Sequence, residues 1–176
     1  ELTGCPIHIQ HITSARGVEL VREGKARGIQ VTCEVTPHHL VLNEDDITTT
    51  YNTNLKMNPP LRSKADNAAL IEGIKDGTID CIVTDHAPHA DHEKAREFEL
   101  APFGMTGLET SLGVILTYLV DPGLITYNEL VELMAIKPRE ILRLDQVTLK
   151  QGSVADITIF DPEVTWTVRS DDMYSK

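Results

Sequence analysis

Two crossovers of one kind restrict the folding of this sequence more than any other feature. "CPIHIQHITS" (5–14) alternates at Ile7 and Ile9, is rich in strand formers, and reads as a short strand ending near His11. "SARGVELVREGKARG" (14–28) sets Val18, Val21 and the stem of Lys25 at helical spacing, with Gly28 as the stop. "IQVTCEVT" (29–36) is a second strand. The pattern then repeats: "ADNAALIEGIKDG" (65–77) is a helix with apolar Leu70, Ile71 and Ile74, and "IDCIVTD" (79–85) is a third strand. Strands joined through helices lie parallel, so the predicted fold class is α/β with a parallel sheet.

Between the second strand and the second helix runs a long irregular stretch, from Pro37 to about Ser63, which holds "TPHH" and "NTNLKMNPPLR". Loops of that length inside a domain are usually functional or disordered. Beyond the third strand, helices are predicted over 106–120, 126–135 and 137–144. Thr126 and Glu129 form a capping box in the second of these, and Pro138 suits the first turn of the third. The tail changes character: "ADITIF" (155–160) and "VTWTV" (164–168) alternate as strands. The chain therefore divides into 1–146 and 147–176.

Composition removes several classes of function. A net charge of -11 argues against a general nucleic-acid binder, although local cations can still hold a small anion. No apolar run approaches the ~20 residues needed to span a bilayer, and no signal-peptide pattern opens the chain. The first residues read as the interior of a longer chain. Cys5, Cys33 and Cys81 lie far apart in apolar surroundings and read as reduced core residues of a cytosolic protein.

The chemistry gathers where strands stop. The apolar run ending at Val83 gives way to Thr84, Asp85 and His86, with His89 and His92 following Pro88, and the first strand ends at His11. In parallel sheets and barrels, sites form at the carboxyl ends of the strands. A carboxylate there needs a partner, and imidazole with carboxylate suits zinc. Such a carboxylate can also shuttle a proton in hydrolysis. Each residue has a plainer reading as well: Asp85 as a cap for the next turn, His92 as a solvated loop residue, Asn58 as a turn residue before proline. His38 and His39 are adjacent, and on an extended chain only one of them faces a cleft. Asn58, stiffened by two following prolines, offers an amide to pair with an amide or imide. Arg62 is either a carboxylate partner or a surface cation.

These residues resemble the dihydroorotases. "TDHAPH" (84–89) matches that family's signature, and the similarity extends through "HIQHITS" (8–14), "CEVTPHHL" (33–40), "KMNPPLR" (56–62), "EKAREFELAPFG" (93–104) and "IKPREIL" (136–142). "GSVADITIFDP" (152–162) is similar to the closing β segment of many amidohydrolases. The resemblance implies a fold: the C-terminal part of a distorted (β/α)8 barrel of TIM type, strands six to eight, with part of a small flanking β-sandwich. It implies a reaction: the zinc-dependent, reversible hydrolysis of dihydroorotate to N-carbamoyl-L-aspartate in pyrimidine biosynthesis. By position it makes His11 a zinc ligand and Asp85 both zinc ligand and catalytic acid/base. Asn58, His89, Phe103 and Gly104 become the substrate-binding residues. No metal role falls on His8, His38, His39, His86 or His92.

The family's first-strand His-x-His pair, its bridging ligand, its fifth-strand histidine and a substrate-binding arginine have no counterpart in these residues. The expectation is therefore a parent enzyme holding one or two zinc ions, in the cytoplasm, with an isolated chain that is inactive. A homodimer and an assembly with aspartate transcarbamoylase are the partners such a parent implies. Two other readings stay open: a hydantoinase or dihydropyrimidinase-like cyclic amidase, and a non-catalytic scaffold for aspartate transcarbamoylase.

Overall fold

The computed structural model describes residues 2–47 and 51–175. Three parallel strands, β1 (Ile7–Ile9), β2 (Val31–Val35) and β3 (Cys81–Ile82), lie side by side in that order. Ile7 pairs with Val31 and His8 with Thr32; Glu34 pairs with Cys81 and Val35 with Ile82. Because successive residues face opposite sides of a sheet, this register sorts the side chains cleanly. Val31, Cys33, Val35 and Ile82 share one face, and His8, Thr32, Glu34 and Cys81 share the other.

The apolar face makes the core. Helix α1 (Ala15–Ala26) connects β1 to β2 and α3 (Lys64–Lys75) leads into β3; Val18, Val21, Leu70 and Ile74 bury themselves against the sheet. The two helices approach closely at Gly73, where a β-carbon would lie 2.9 Å from Val18 Cγ1. One carboxylate starts both helices. Asp66 completes the capping box of α3 with Ser63 and also accepts the Ala15 amide of α1 at 2.8 Å. These bonds, the Ser63 hydroxyl first among them, hold its carboxyl below the usual range.

Further helices complete the packing. Residues 111–120 form a helix, α5, whose second half, Leu116–Val120, widens to π geometry. Residues 127–141 form another continuous helical run, α6 and α7, with a π segment at Glu132–Ile136. Ile115, Leu119, Leu130 and Leu133 join the same core.

Three expectations change. Cys5, expected in the core, is exposed on the segment that precedes β1, while Cys33 and Cys81 are buried. "TPHH" is not extended: Thr36 accepts the His39 amide as an N-cap and Pro37 opens a short helix, α2 (Pro37–Val41), in which both His38 and His39 are buried. Tail segments 155–160 and 164–168 form no strands among the described residues, so no flanking sheet is assembled there. A strand needs a neighbour for its alternate amides and carbonyls, and among the described residues no strand pairs with these segments. Ile157, Ile159, Val164 and Trp166 are correspondingly exposed.

Candidate active site

Since the strands are parallel, their carboxyl ends open on a single rim. His11 follows β1 by two residues, α2 leaves β2 through Thr36, and Asp85 follows β3 by three. Ile12 N donates to Glu34 O and Val83 N to Val35 O, both at 2.9 Å, which carries the pairing up to that rim. There the backbone leaves the extended region abruptly: φ is +36° at His11 and +45° at Asp85. A left-handed conformation in a residue other than glycine costs about 1 kcal/mol or more and concentrates at functional sites. Both rim residues adopt it, as do Tyr51 and Arg143 elsewhere in the chain.

The histidines between them are neutral. Burial, with His39 and His11 as neighbours, pushes His38 down to about 3. His39 is also lowered, again chiefly by burial, while Asp85 acts on it in the opposite direction. The Pro59 carbonyl can only accept, so His39 Nε2 carries the proton and donates to it at 2.8 Å, and Nδ1 accepts from the Thr36 hydroxyl at 2.7 Å. His39 is thus spent on structure: it fastens the loop that carries Asn58 to α2. His11 Nδ1 and His38 Nε2 are buried atoms with no hydrogen-bond partner. An orphaned buried nitrogen is costly unless something occupies it. His11 and Asp85, which follow the carboxyl ends of β1 and β3, offer an imidazole and a carboxylate, donor types that suit zinc. Together they offer two of the roughly three protein ligands that a catalytic zinc takes.

The remaining expected residues lie on the loops that follow β2 and β3. Asn58 is exposed, held between buried Met57 and Leu61. His89 Nε2 donates to Phe103 O at 2.8 Å, and its Nδ1 lies 3.9 Å from Glu93. Gly104, with φ +125°, sits where a β-carbon would be 2.6 Å from Ala87 Cβ and 3.3 Å from His89 Nε2, so glycine is required. Phe103 is exposed beside it. His86 shapes the loop opposite. Its Nδ1 accepts from the amides of Gly107 and Leu108, each at 3.1 Å, so Nε2 is the protonated nitrogen and donates to the Ser175 hydroxyl at 2.9 Å. His92 is exposed on the short helix α4 (Asp91–Lys94).

Two groups escape a reading of motifs. One is the polar sheet face, where ligand atoms of His8, Glu34 and Cys81 lie within 4.8 Å of one another. Both His8 nitrogens are already engaged, Nδ1 with Thr32 at 2.8 Å and Nε2 with Glu34 at 2.9 Å. Burial, with Glu34 and Asp80 nearby, pushes the Cys81 thiol up to about 12. The even spacing of His8, Thr32 and Glu34 along paired strands was the available signal. The other is Lys56, a buried lysine whose partners are all distant in sequence. An open hollow of about 470 Å³, lined in part by Pro6, His8 and Thr32, sits at the opposite end of β1 and β2, away from this chemistry.

Known proteins share this fold. In solved structures, the chain is similar to L-hydantoinase (dihydropyrimidinase) from Arthrobacter aurescens, with a TM-score of 0.79 and 34% identity over 86% of this chain and 35% of that one. It is similar to D-hydantoinase from Bacillus sp. AR9 with a TM-score of 0.82 and 26% identity, covering 97% of this chain and 39% of that one. The fold is that of the amidohydrolases. No protein-family model matches the chain. Curated relatives are more specific. A dihydroorotase of Brevibacillus brevis is 50% identical over all 176 residues, and one of Trichlorobacter lovleyi is 52% identical over the same span. A dihydroorotase of Staphylococcus aureus is 48% identical. The chain spans 41% of the length of each of these relatives. Along its whole length the chain is similar in sequence to these dihydroorotases. Among the described residues no helix is long and apolar enough to cross a membrane.

Proposed function

We propose that this chain is the C-terminal portion, strands six to eight, of a (β/α)8 dihydroorotase, which opens the cyclic amide of dihydroorotate to N-carbamoyl-L-aspartate and closes it again. The observation that carries the reading is the placement of His11 and Asp85 at one rim, each on a left-handed backbone. His11 and Asp85 would hold zinc, and zinc when bound supplies a Lewis acid and lowers the pKa of a coordinated water. The full-length protein is the active species, and the 176-residue chain alone is expected to be inactive.

The chain's own residues divide the remaining work. Asp85, as carboxylate, takes the proton of the attacking water and returns it to the ring nitrogen as the amide C–N bond breaks. Asn58 offers both a carbonyl and an amide to the ring's imide edge. Phe103 and the backbone of Gly104 cover the ring's face. His89, whose Nε2 donates to Phe103 O, stands beside the Phe103 segment and is assigned to the substrate carboxylate. The hydantoinase neighbours are compatible with this reading and do not favour the rival one, a hydantoinase or dihydropyrimidinase-like cyclic amidase.

The test is turnover by the full-length protein of dihydroorotate and of hydantoin, side by side, with Asp85→Ala as control. Dihydroorotate should be the better substrate, and the variant should lose at least about 10³-fold in kcat, the scale of a lost general base and ligand together. Faster turnover of hydantoin, or full activity in the variant, would overturn the reading.

A further inference from the structure

The two walls of the proposed cleft come from segments far apart in the chain, residues 53–58 and 94–104, and one ammonium joins them. Lys56 is 8% exposed, and its Nζ donates to Phe98 O at 2.6 Å, Glu99 O at 2.9 Å and Ala101 O at 2.7 Å. A lysine has three N–H donors, so none remains for a substrate. The same Nζ lies 4.6 Å from the centroid of the Phe103 ring, within cation–π range, and the Lys56 carbonyl accepts the Gly104 amide at 2.9 Å. Lys94 repeats the tie from the other side, donating to Thr53 O at 3.1 Å and Pro102 O at 3.0 Å. Beyond α4, segment 95–104 has no helix or strand of its own. Its course is set by these two cations and by the turn in which Leu100 N and Ala101 N donate to Glu97 O.

We infer that Lys56 is a positioning residue, which fixes Asn58 on one wall at a set distance from Phe103 and Gly104 on the other. The inference rests on the proposed roles of those three residues toward the ring of a cyclic amide. Lys56 itself touches neither the substrate nor the reacting atoms. Its removal frees three carbonyls, that of Ala101 buried and those of Phe98 and Glu99 partly so, and releases the Phe103 wall, so it acts on how well the ring is held rather than on the chemistry at Asp85.

The experiment uses the full-length protein as wild type, K56M, K56R and K94M. Two things are read: kcat and KM for dihydroorotate, and the rate of tryptic cleavage after Arg96 without substrate. K56M is expected to raise KM tenfold or more with kcat within threefold, and to speed cleavage after Arg96 about tenfold. K56R, which keeps the charge and the donors, should recover most of the KM. K94M should shift both readouts in the same direction, by a smaller factor, and carries the test if K56M does not fold. An unchanged KM, a fall in kcat alone, or no advantage of arginine over methionine would overturn the assignment. Should the wild type not turn over dihydroorotate, the functional reading fails, and the cleavage rate alone decides the tie: faster in K56M supports it, unchanged refutes it.

Discussion

The burial of His38 has a measurable cost at mild acid pH. Its ring is 6% exposed, its Nε2 has no partner, and burial first, then neighbouring His39 and His11, hold it at about 3 rather than at the ordinary 6.5. Between those two values the unfolded chain binds a proton that the folded chain refuses. Stability therefore rises with pH across this window and is lost as pH falls below about 6.5. At 1.36 kcal/mol per pH unit, the interval from 6.5 down to 5 removes about 2 kcal/mol through this one group. The assay is urea unfolding of the metal-free protein at pH 7 and pH 5, compared with His38→Gln. Other titrating groups are common to both proteins and cancel. The wild type should lose about 2 kcal/mol more than the variant between the two pH values. Equal losses would show that His38 takes up its proton in the folded state, and the reasoning from burial would be wrong.

Two further outcomes follow from the geometry. Gly104→Ala places a β-carbon 2.6 Å from Ala87 Cβ on a backbone with φ +125°, so the Phe103 wall must shift, and KM for dihydroorotate in the full-length protein should rise by at least about tenfold, or 1.4 kcal/mol. A thiol reagent at pH 8 should label exposed Cys5 rapidly, and Cys33 and Cys81, both pushed up to about 12, only after unfolding; native labelling of all three would contradict the core placement.

The parallel sheet and its two crossover helices were legible because they repeat simple periods. Val18, Val21, Leu70 and Ile74 recur at helical spacing, and β2 alternates apolar Val31, Cys33 and Val35 with Thr32 and Glu34. The strand ends before His11 and Asp85 were legible for a related reason: an apolar run that stops at a polar residue marks where a strand leaves the sheet. Helix α2 was not legible, because adjacent histidines after a proline look extended until Thr36 is recognised as a cap. The tail read as strands because alternation shows which face is apolar and says nothing of whether a neighbouring strand is present to pair with it. Lys56 was invisible for a third reason. A lysine among apolar residues reads as a surface cation, and its carbonyl partners lie 42 to 45 residues away along the chain.

The claim beneath all of this is that His11 and Asp85 share one metal at the carboxyl rim of the sheet. Anomalous diffraction at the zinc edge, from crystals of the full-length protein grown with zinc, addresses it directly. The expected result is a zinc peak about 2.0–2.2 Å from a nitrogen of His11 and from a carboxylate oxygen of Asp85. Zinc bound instead among His8, Glu34 and Cys81, with His11 and Asp85 bare, would contradict it.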